Sequence, residues 1–295
     1  MDLTRHRAGR LDPTVQGLLW SVAAGLCFVL LNTMTRYLTT QIPPLQSQFL
    51  RYLCGVIVLL PLVLRSGMAA WMPQNIRGQF VRGFVHTTGL AIWFTAIPHI
   101  SLADTTAIGF TTPIFIMLGA WIFLREPMRW ERWLAALLGF GGVLIVVGPG
   151  LTASGGYYSL VMLSSAPMFA ASFLISKALT RYESAGVIVL WQSITVTILS
   201  LPLALLNWQP VSAAQWAGYM LCGLLGSGAH YLLMRSYAVA EISATQSVKF
   251  LDLVWAALLG WLVFADVPTS HSLIGGTIIA GATLWIARRE ARRGT

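Results

Sequence analysis

The second half of this chain repeats the first, with its charges moved to the opposite flank. Residues 120–127 read Ala-Trp-Ile-Phe-Leu-Arg-Glu-Pro, and residues 260–268 read Gly-Trp-Leu-Val-Phe-Ala-Asp-Val-Pro. Trp121 aligns with Trp261 and Glu126 with Asp266, an offset of 140 residues. Arg36 with Lys177 and Pro61 with Pro202 give 141, so the halves match almost without a gap. The loop after the first copy carries Arg125, Arg129 and Arg132, whereas no Lys or Arg follows the second copy before Arg288. An apolar duplication whose basic flanks change sides points to an inverted repeat in a membrane.

Composition narrows the class further. The 295 residues are 56% hydrophobic and only 10% charged, with mean hydropathy +0.71. A soluble domain is about a quarter charged; this chain lacks the polar residues to cover a soluble surface. It is instead a series of apolar runs, each near the roughly 20 residues that span a bilayer. The net charge of +9 resides in short loops and at both termini, so no nucleic-acid partner is expected. Cys27, Cys54 and Cys222 lie inside apolar runs, with the spacing of neither a zinc site nor a disulfide framework. Arg5, Arg7 and Arg10 precede an apolar run from about Leu18. That run lacks an A-x-A cleavage site and is followed by nine more, so it reads as a first span rather than a signal peptide.

The fold class expected is an all-α membrane protein with ten transmembrane helices in two inverted five-helix repeats. The first repeat, 17–147, holds Gly17–Tyr37, Leu45–Leu64, Gln79–Ile97, Leu102–Leu124 and Trp133–Val147. The second, 158–287, holds Tyr158–Leu179, Ala185–Leu206, Gln215–Met234, Ala244–Phe264 and Ser272–Ala287. A Gly/Ser linker, 148–157, joins them; 1–16 and 288–295 are tails. Of the segments between and beyond the spans, one set carries Lys or Arg: the N-tail, 65–78, 125–132, 177–184, Arg235 and the C-tail; the other set, 39–44, 98–101, 148–157, 207–214 and 265–271, contains none. With ten spans these sets lie on opposite sides, both termini cytoplasmic in the inner membrane. Trp20, Trp71, Trp130, Trp133, Trp208 and Trp216 mark the interfaces.

Several short elements carry a family resemblance: Phe49-Leu50-Arg51, Pro113, Arg125-Glu126-Pro127, Gly139, Gly142-Val143, Leu258-Leu259-Gly260-Trp261 and Phe264-Ala265-Asp266. In this order and duplication the chain resembles the EamA-type members of the drug/metabolite transporter superfamily, over about 17–287. The resemblance implies a ten-helix basket around one substrate cavity, lined by the first, third, fourth, sixth, eighth and ninth helices. Relatives often carry Pro-Phe-Asp-Phe in the ninth span, with an Arg three residues after the Asp. Here Ser247-Val248-Lys249-Phe250-Leu251-Asp252 exchanges the acidic and basic positions, keeping an i,i+3 pair of reversed polarity.

A charge within the bilayer costs about 2.5–3.5 kcal/mol on insertion scales, so it faces a cavity or a partner. Lys249 and Asp252 therefore either bind a zwitterion, couple transport to protons, or fix packing as a mutual salt bridge. His86 and His230 can bind carboxylate or relay protons, or simply bond a neighbouring helix. His86, Leu90 and Trp93 share one helix face, as do Ser227, Tyr231 and Met234. With Trp255 the aromatics would suit a solute with an apolar body and a polar head. Asn32, Ser172, Gln246, Thr245, Thr105 and Thr106 are candidate donors. Pro113 and Pro167 are candidate hinges.

The expected function is secondary transport of a small organic metabolite, an amino acid or related zwitterion moving outward by alternating access. The alternative is another class, nucleotide-related, amine or drug. The candidate substrate-binding set is Asn32, His86, Trp93, Ser172, His230, Tyr231, Gln246, Lys249 and Asp252. No G-x-x-x-x-G-K-[ST] loop occurs, so a gradient supplies energy, with a proton as the candidate coupling ion. No cofactor, metal or catalytic role is expected; the partners are the substrate and the lipid bilayer, and the oligomeric state is left open. Ser227 near His230 is the single hint of an intramembrane enzyme, and it has neither a G-x-S-x-G elbow nor an H-E-x-x-H helix.

Overall fold

The computed structural model describes residues 12–39, 41–96, 99, 108–150, 156–264 and 270–292. Within them the chain is helical, and no strand occurs among the described residues. The long helices are α1 (Pro13–Thr39), α2 (Pro44–Ser66), α3 (Ile76–Ala96), α4 (Thr112–Leu124), α5 (Trp130–Val147), α6 (Gly156–Leu179), α7 (Ala185–Leu205) and α8 (Ala213–Val239). A short α9 (Ile242–Gln246) follows, then α10 (Leu251–Phe264) and α11 (Ser270–Ala291). Thr105, Thr106, Pro98 and Asp266 lie outside the described residues, as do Arg5, Arg7 and Arg10.

Seven candidate membrane spans meet both length and apolarity among the described residues, the seven being α1, α2, α5, α6, α7, Ile242–Leu259 and α11; α4 is apolar but shorter. The long helices α3 and α8 are diluted by Arg77, Arg82, His86, His230 and Arg235. The two helices least like membrane spans are thus the ones that carry the buried histidines.

Helix ends follow local chemistry. Asp12 Oδ1 accepts from Thr14 N at 2.8 Å and starts α1. Ser212 and Gln215 form a reciprocal capping box on α8. At the end of α4, Arg125 takes a left-handed conformation, φ 56°, and Glu126 N donates back to the Ala120 carbonyl. That turn, followed by helix-stopping Pro127, swings Glu126 across to α9.

The ninth span differs from the continuous helix Ala244–Phe264 that the sequence predicts. Residues 247–250 are turns, and Val248, Lys249, Leu251, Asp252 and Leu253 donate to carbonyls three residues back. A tightened stretch inside a membrane helix is a common hinge. No Gly or Pro signals it here. Pro113, read as a hinge, sits instead in the first turn of α4, where a missing N–H costs nothing.

Packing pairs the halves reciprocally. α1 packs against α8 and α3 against α6; α2 meets α7, and α5 meets α11. Exchanging the halves by the 140-residue offset converts the first contact into the second and each of the others into itself. α5 and α11 approach closely where Gly142 faces Gly275 and Ile279.

Candidate functional site

A buried polar cluster lies where α2, α3, α6, α7 and α8 converge. Tyr52 Oη is 2.9 Å from His86 Nε2, and His86 Nδ1 is 3.2 Å from Ser172 Oγ. Gln192 Nε2 lies 3.2 Å from His86 Nε2 and 3.3 Å from His230 Nε2. Arg82, also buried, donates to the Ile188 carbonyl at 2.9 Å and to Gln192 Oε1. These five helices place the groups; the ring faces close around them. Phe28 meets His230 edge-on at 5.0 Å between centroids, and Phe169 and Phe173 meet His86 at 5.6 and 6.3 Å. Half-buried Trp93 extends this wall, 6.1 Å from Phe169. Fixed hydrogen-bonding groups set among aromatic edges suit a flat ring bearing polar atoms.

The Lys249–Asp252 pair adjoins the cluster. Lys249 Nζ is 2.8 Å from Asp252 Oδ2, and also 5.0 Å from the Phe28 ring centroid, so it is a salt-bridge and a cation–π partner at once. Both side chains retain about a fifth of their exposure. On α1, Gly25 faces Asp252 so closely that a Cβ there would overlap the carboxylate. Asn32 shares that α1 face with Gly25 and Phe28 by i, i+3, i+7 spacing, and is exposed.

The predicted residues separate into two groups. His86, Ser172 and His230 are in the cluster, with Trp93 in its wall and Lys249 and Asp252 beside it. Gln246 is buried but donates to the Ile242 carbonyl and Thr245 Oγ1 within α9. Tyr231 is not brought in. It is exposed on the stripe of Leu221 and Leu224, and its hydroxyl accepts from Arg235 at 3.2 Å. The inward face of α8 runs Ser227, His230, Tyr237, and Tyr231 lies about 100° from His230. Ser227 Oγ and His230 Nδ1 have no hydrogen-bond partner among the described residues, so they form no nucleophile–base pair.

Sequence reasoning missed Tyr52, Arg82 and Gln192. The signal for Arg82 was present: it is a charge inside the apolar run predicted for the third span. It missed a second cluster as well, at the end where α1 begins. There the Glu126 carboxylate accepts from Ile242 N at 2.8 Å, Ser243 N at 3.0 Å and Ser243 Oγ at 2.6 Å. Arg132 bonds Glu290 at 2.9 Å, Ser243 Oγ at 2.8 Å and Glu241 at 2.5 Å. Arg289 pairs with Glu131 at 3.1 Å. Every one of these bonds joins the first half to the second.

The chain is similar to known transporters over nearly its whole length. The EamA-like transporter family model matches residues 15–148 and again 156–288. The riboflavin transporter of Rhizobium johnstonii is 33% identical, covering 95% of this chain and 93% of its own. The S-adenosylmethionine uptake transporter of Rickettsia prowazekii is 26% identical over 96% of each chain. The pseudopaline exporter of Pseudomonas aeruginosa is 25% identical over 95% of this chain and 99% of its own. A solved crystal structure superposes with TM-score 0.81 at 19% identity, covering 94% of this chain and 98% of that one.

Proposed function

The chain belongs to the EamA-like transporter family, and on that premise we propose that it is a secondary carrier for a small metabolite built on a flat, hydrogen-bonding ring. The observation that carries this reading is the Tyr52–His86–Gln192–His230 cluster, with Phe28, Phe169 and Phe173 around it. Such a site matches heteroaromatic solutes of the riboflavin kind, the substrate named for one relative. A second reading, an amino acid or other zwitterion moving outward, is favoured by the Lys249–Asp252 pair, whose two charges lie at one edge of the cluster.

Transport proceeds by alternating access between two inverted five-helix repeats, 17–147 and 158–287, in the cytoplasmic membrane. The start of α1 and the end of α6 meet the same segment: Ser236 Oγ donates to the Gly17 carbonyl, and Lys177 donates to the carbonyls of Tyr237 and Ala240. Equivalent helices therefore run in opposite directions, which supports the inversion. The ten-span count, with both termini cytoplasmic, rests on the segregation of Lys and Arg among the loops. The Glu126–Arg132–Glu290 cluster holds the halves together at the cytoplasmic end, while Asn32, on the face of α1 that carries Gly25 and Phe28, is exposed. Substrate binding favours whichever arrangement encloses it.

The test is counterflow in proteoliposomes with riboflavin, nucleosides, amines and the twenty amino acids. Saturable exchange confined to ring-bearing solutes is the expected result; exchange confined to amino acids selects the second reading, and non-saturating flux removes the carrier model. In the same assay Lys249→Ala and Asp252→Ala should each reduce exchange about tenfold or more. The Lys249→Asp/Asp252→Lys swap should recover part of it. Losses that simply add, with no recovery in the swap, would show that the two charges act independently.

A further inference from the structure

A guanidinium has donors only. Arg82 is 1% exposed, and its terminal nitrogens reach the Ile188 carbonyl and Gln192. The Gln192 atom facing Arg82 must be the amide oxygen, which turns the NH2 group toward both imidazoles. An amide NH2 only donates, so His86 Nε2 and His230 Nε2 both accept. A doubly protonated ring would set donor against donor, so each ring holds its proton on Nδ1. His86 gives that proton to Ser172 Oγ. His230 Nδ1 is buried and has no partner among the described residues, and Ser227 Oγ, one turn earlier on the same face of α8, is likewise buried and unpartnered. A buried donor left unpaired costs about 1–3 kcal/mol. Arg82 Nε, deeper in the cluster, is unpartnered as well, but His230 Nδ1 and Ser227 Oγ are two such groups one turn apart on a single helix face, and together they mark where a ligand atom belongs.

Resting on the carrier reading above, we infer that His230 Nδ1–H and Ser227 Oγ form the subsite that grips a ring carbonyl of the substrate, and that Arg82 is a positioning residue that aims it. Arg82 does not touch the substrate. It fixes the Gln192 amide, the amide fixes the His230 tautomer, and the tautomer decides whether the subsite offers a donor or an acceptor. With the proton on Nδ1 the site favours carbonyl-bearing rings and disfavours rings that present an N–H at the same point, because two donors would then meet away from water.

The experiment has a spectroscopic arm and a transport arm. In nitrogen-15 histidine-labelled full-length protein, the His230 signal is assigned by its loss in His230→Asn. It is expected to show the Nδ1-protonated pattern. Gln192→Glu presents acceptors only, so the pattern should move to Nε2-protonated or doubly protonated, while the thermal unfolding midpoint reports whether that variant still folds. An Nε2-protonated or charged ring in the wild type overturns the inference whatever the substrate is. In counterflow with riboflavin as the probe, His230→Asn keeps an amide near the Nδ1 position and should retain exchange within about threefold. His230→Gln places it near Nε2 and should lose about tenfold or more; Ser227→Ala should lose a few-fold. Equal losses for Asn and Gln, or exchange by the wild type confined to probes without a carbonyl, remove the subsite. Absence of any exchange by folded wild type removes the carrier reading and the substrate contact with it, and leaves only the tautomer assignment standing.

Discussion

Arg132→Ala is expected to destabilise the protein by about 3–5 kcal/mol, the scale seen when one partner is removed from a buried ion pair. The side chains of Arg132 and Glu290 are 2% and 3% exposed, and the guanidinium grips both Glu290 oxygens, at 2.9 and 3.4 Å. Its remaining nitrogen serves Ser243 Oγ and Glu241. Truncation strands the Glu290 carboxylate in a dry site, where Arg129 at 3.5 Å is a poor replacement. Reversible unfolding in mixed micelles measures the loss. The Arg132→Met/Glu290→Met pair should recover most of it, because apolar groups of similar volume need no compensating charge. That double variant has a second expected effect: with the Arg132 bonds between the halves gone and only those of Glu126 and of Arg289 with Glu131 left, the end where α1 begins should open more often. Raised labelling of a cysteine placed beside Ser243 would register this. A single-variant loss under about 1 kcal/mol would mean that the cluster behaves as an ordinary surface network.

What the sequence disclosed and what it hid divide along one physical line. Features that cost energy locally were legible. Charges in apolar runs stand out, so Lys249 and Asp252 could be paired by their i,i+3 spacing, and the pair is there at 2.8 Å. Apolar runs and basic loops are likewise local, and most helices lie within a few residues of their predicted limits. Features created by distant partners were not legible. Arg82 and Gln192 are 110 residues apart, and nothing near either one names the other. Tyr231 was placed in the site because spacing along α8 identifies faces but not which face turns inward; only packing against α1 and α2 decides that. The break at 247–250 had no Gly or Pro to announce it, and the contact made by its last residue is also remote: Phe250 is wedged against Gly139 on α5. Glu126 and Asp266 were legible as a repeat anchor. The role of Glu126 in holding the start of α9 depends on the left-handed turn at Arg125, a conformation that an arginine does not advertise.

That wedge sets the last expectation. Phe110 and Phe250 are equivalent under the 140-residue offset, and their rings stack on one another, 5.7 Å between centroids and 20° between planes. Phe250 is fully buried, and its neighbour across the interface is Gly139, where an added Cβ would come within 2.6 Å of Phe250 Cδ2 and 2.7 Å of Cγ. An aromatic ring fixed between α5 and Phe110 cannot give way cheaply, so Gly139→Leu should cost about 1–3 kcal/mol by overpacking. The effect on transport should exceed the effect on stability. Phe250 sits in the turn stretch between α9 and α10, next to Lys249, and moving it displaces the Lys249–Asp252 pair from Phe28 and the cluster. Counterflow is expected to fall at least about tenfold in Gly139→Leu and to return in part when Phe250→Ala restores the room, giving a coupling energy well above the roughly 0.5 kcal/mol expected of independent sites. If Gly139→Leu transports at the wild-type rate, the contact between Phe250 and α5 does not hold the Lys249 segment in place.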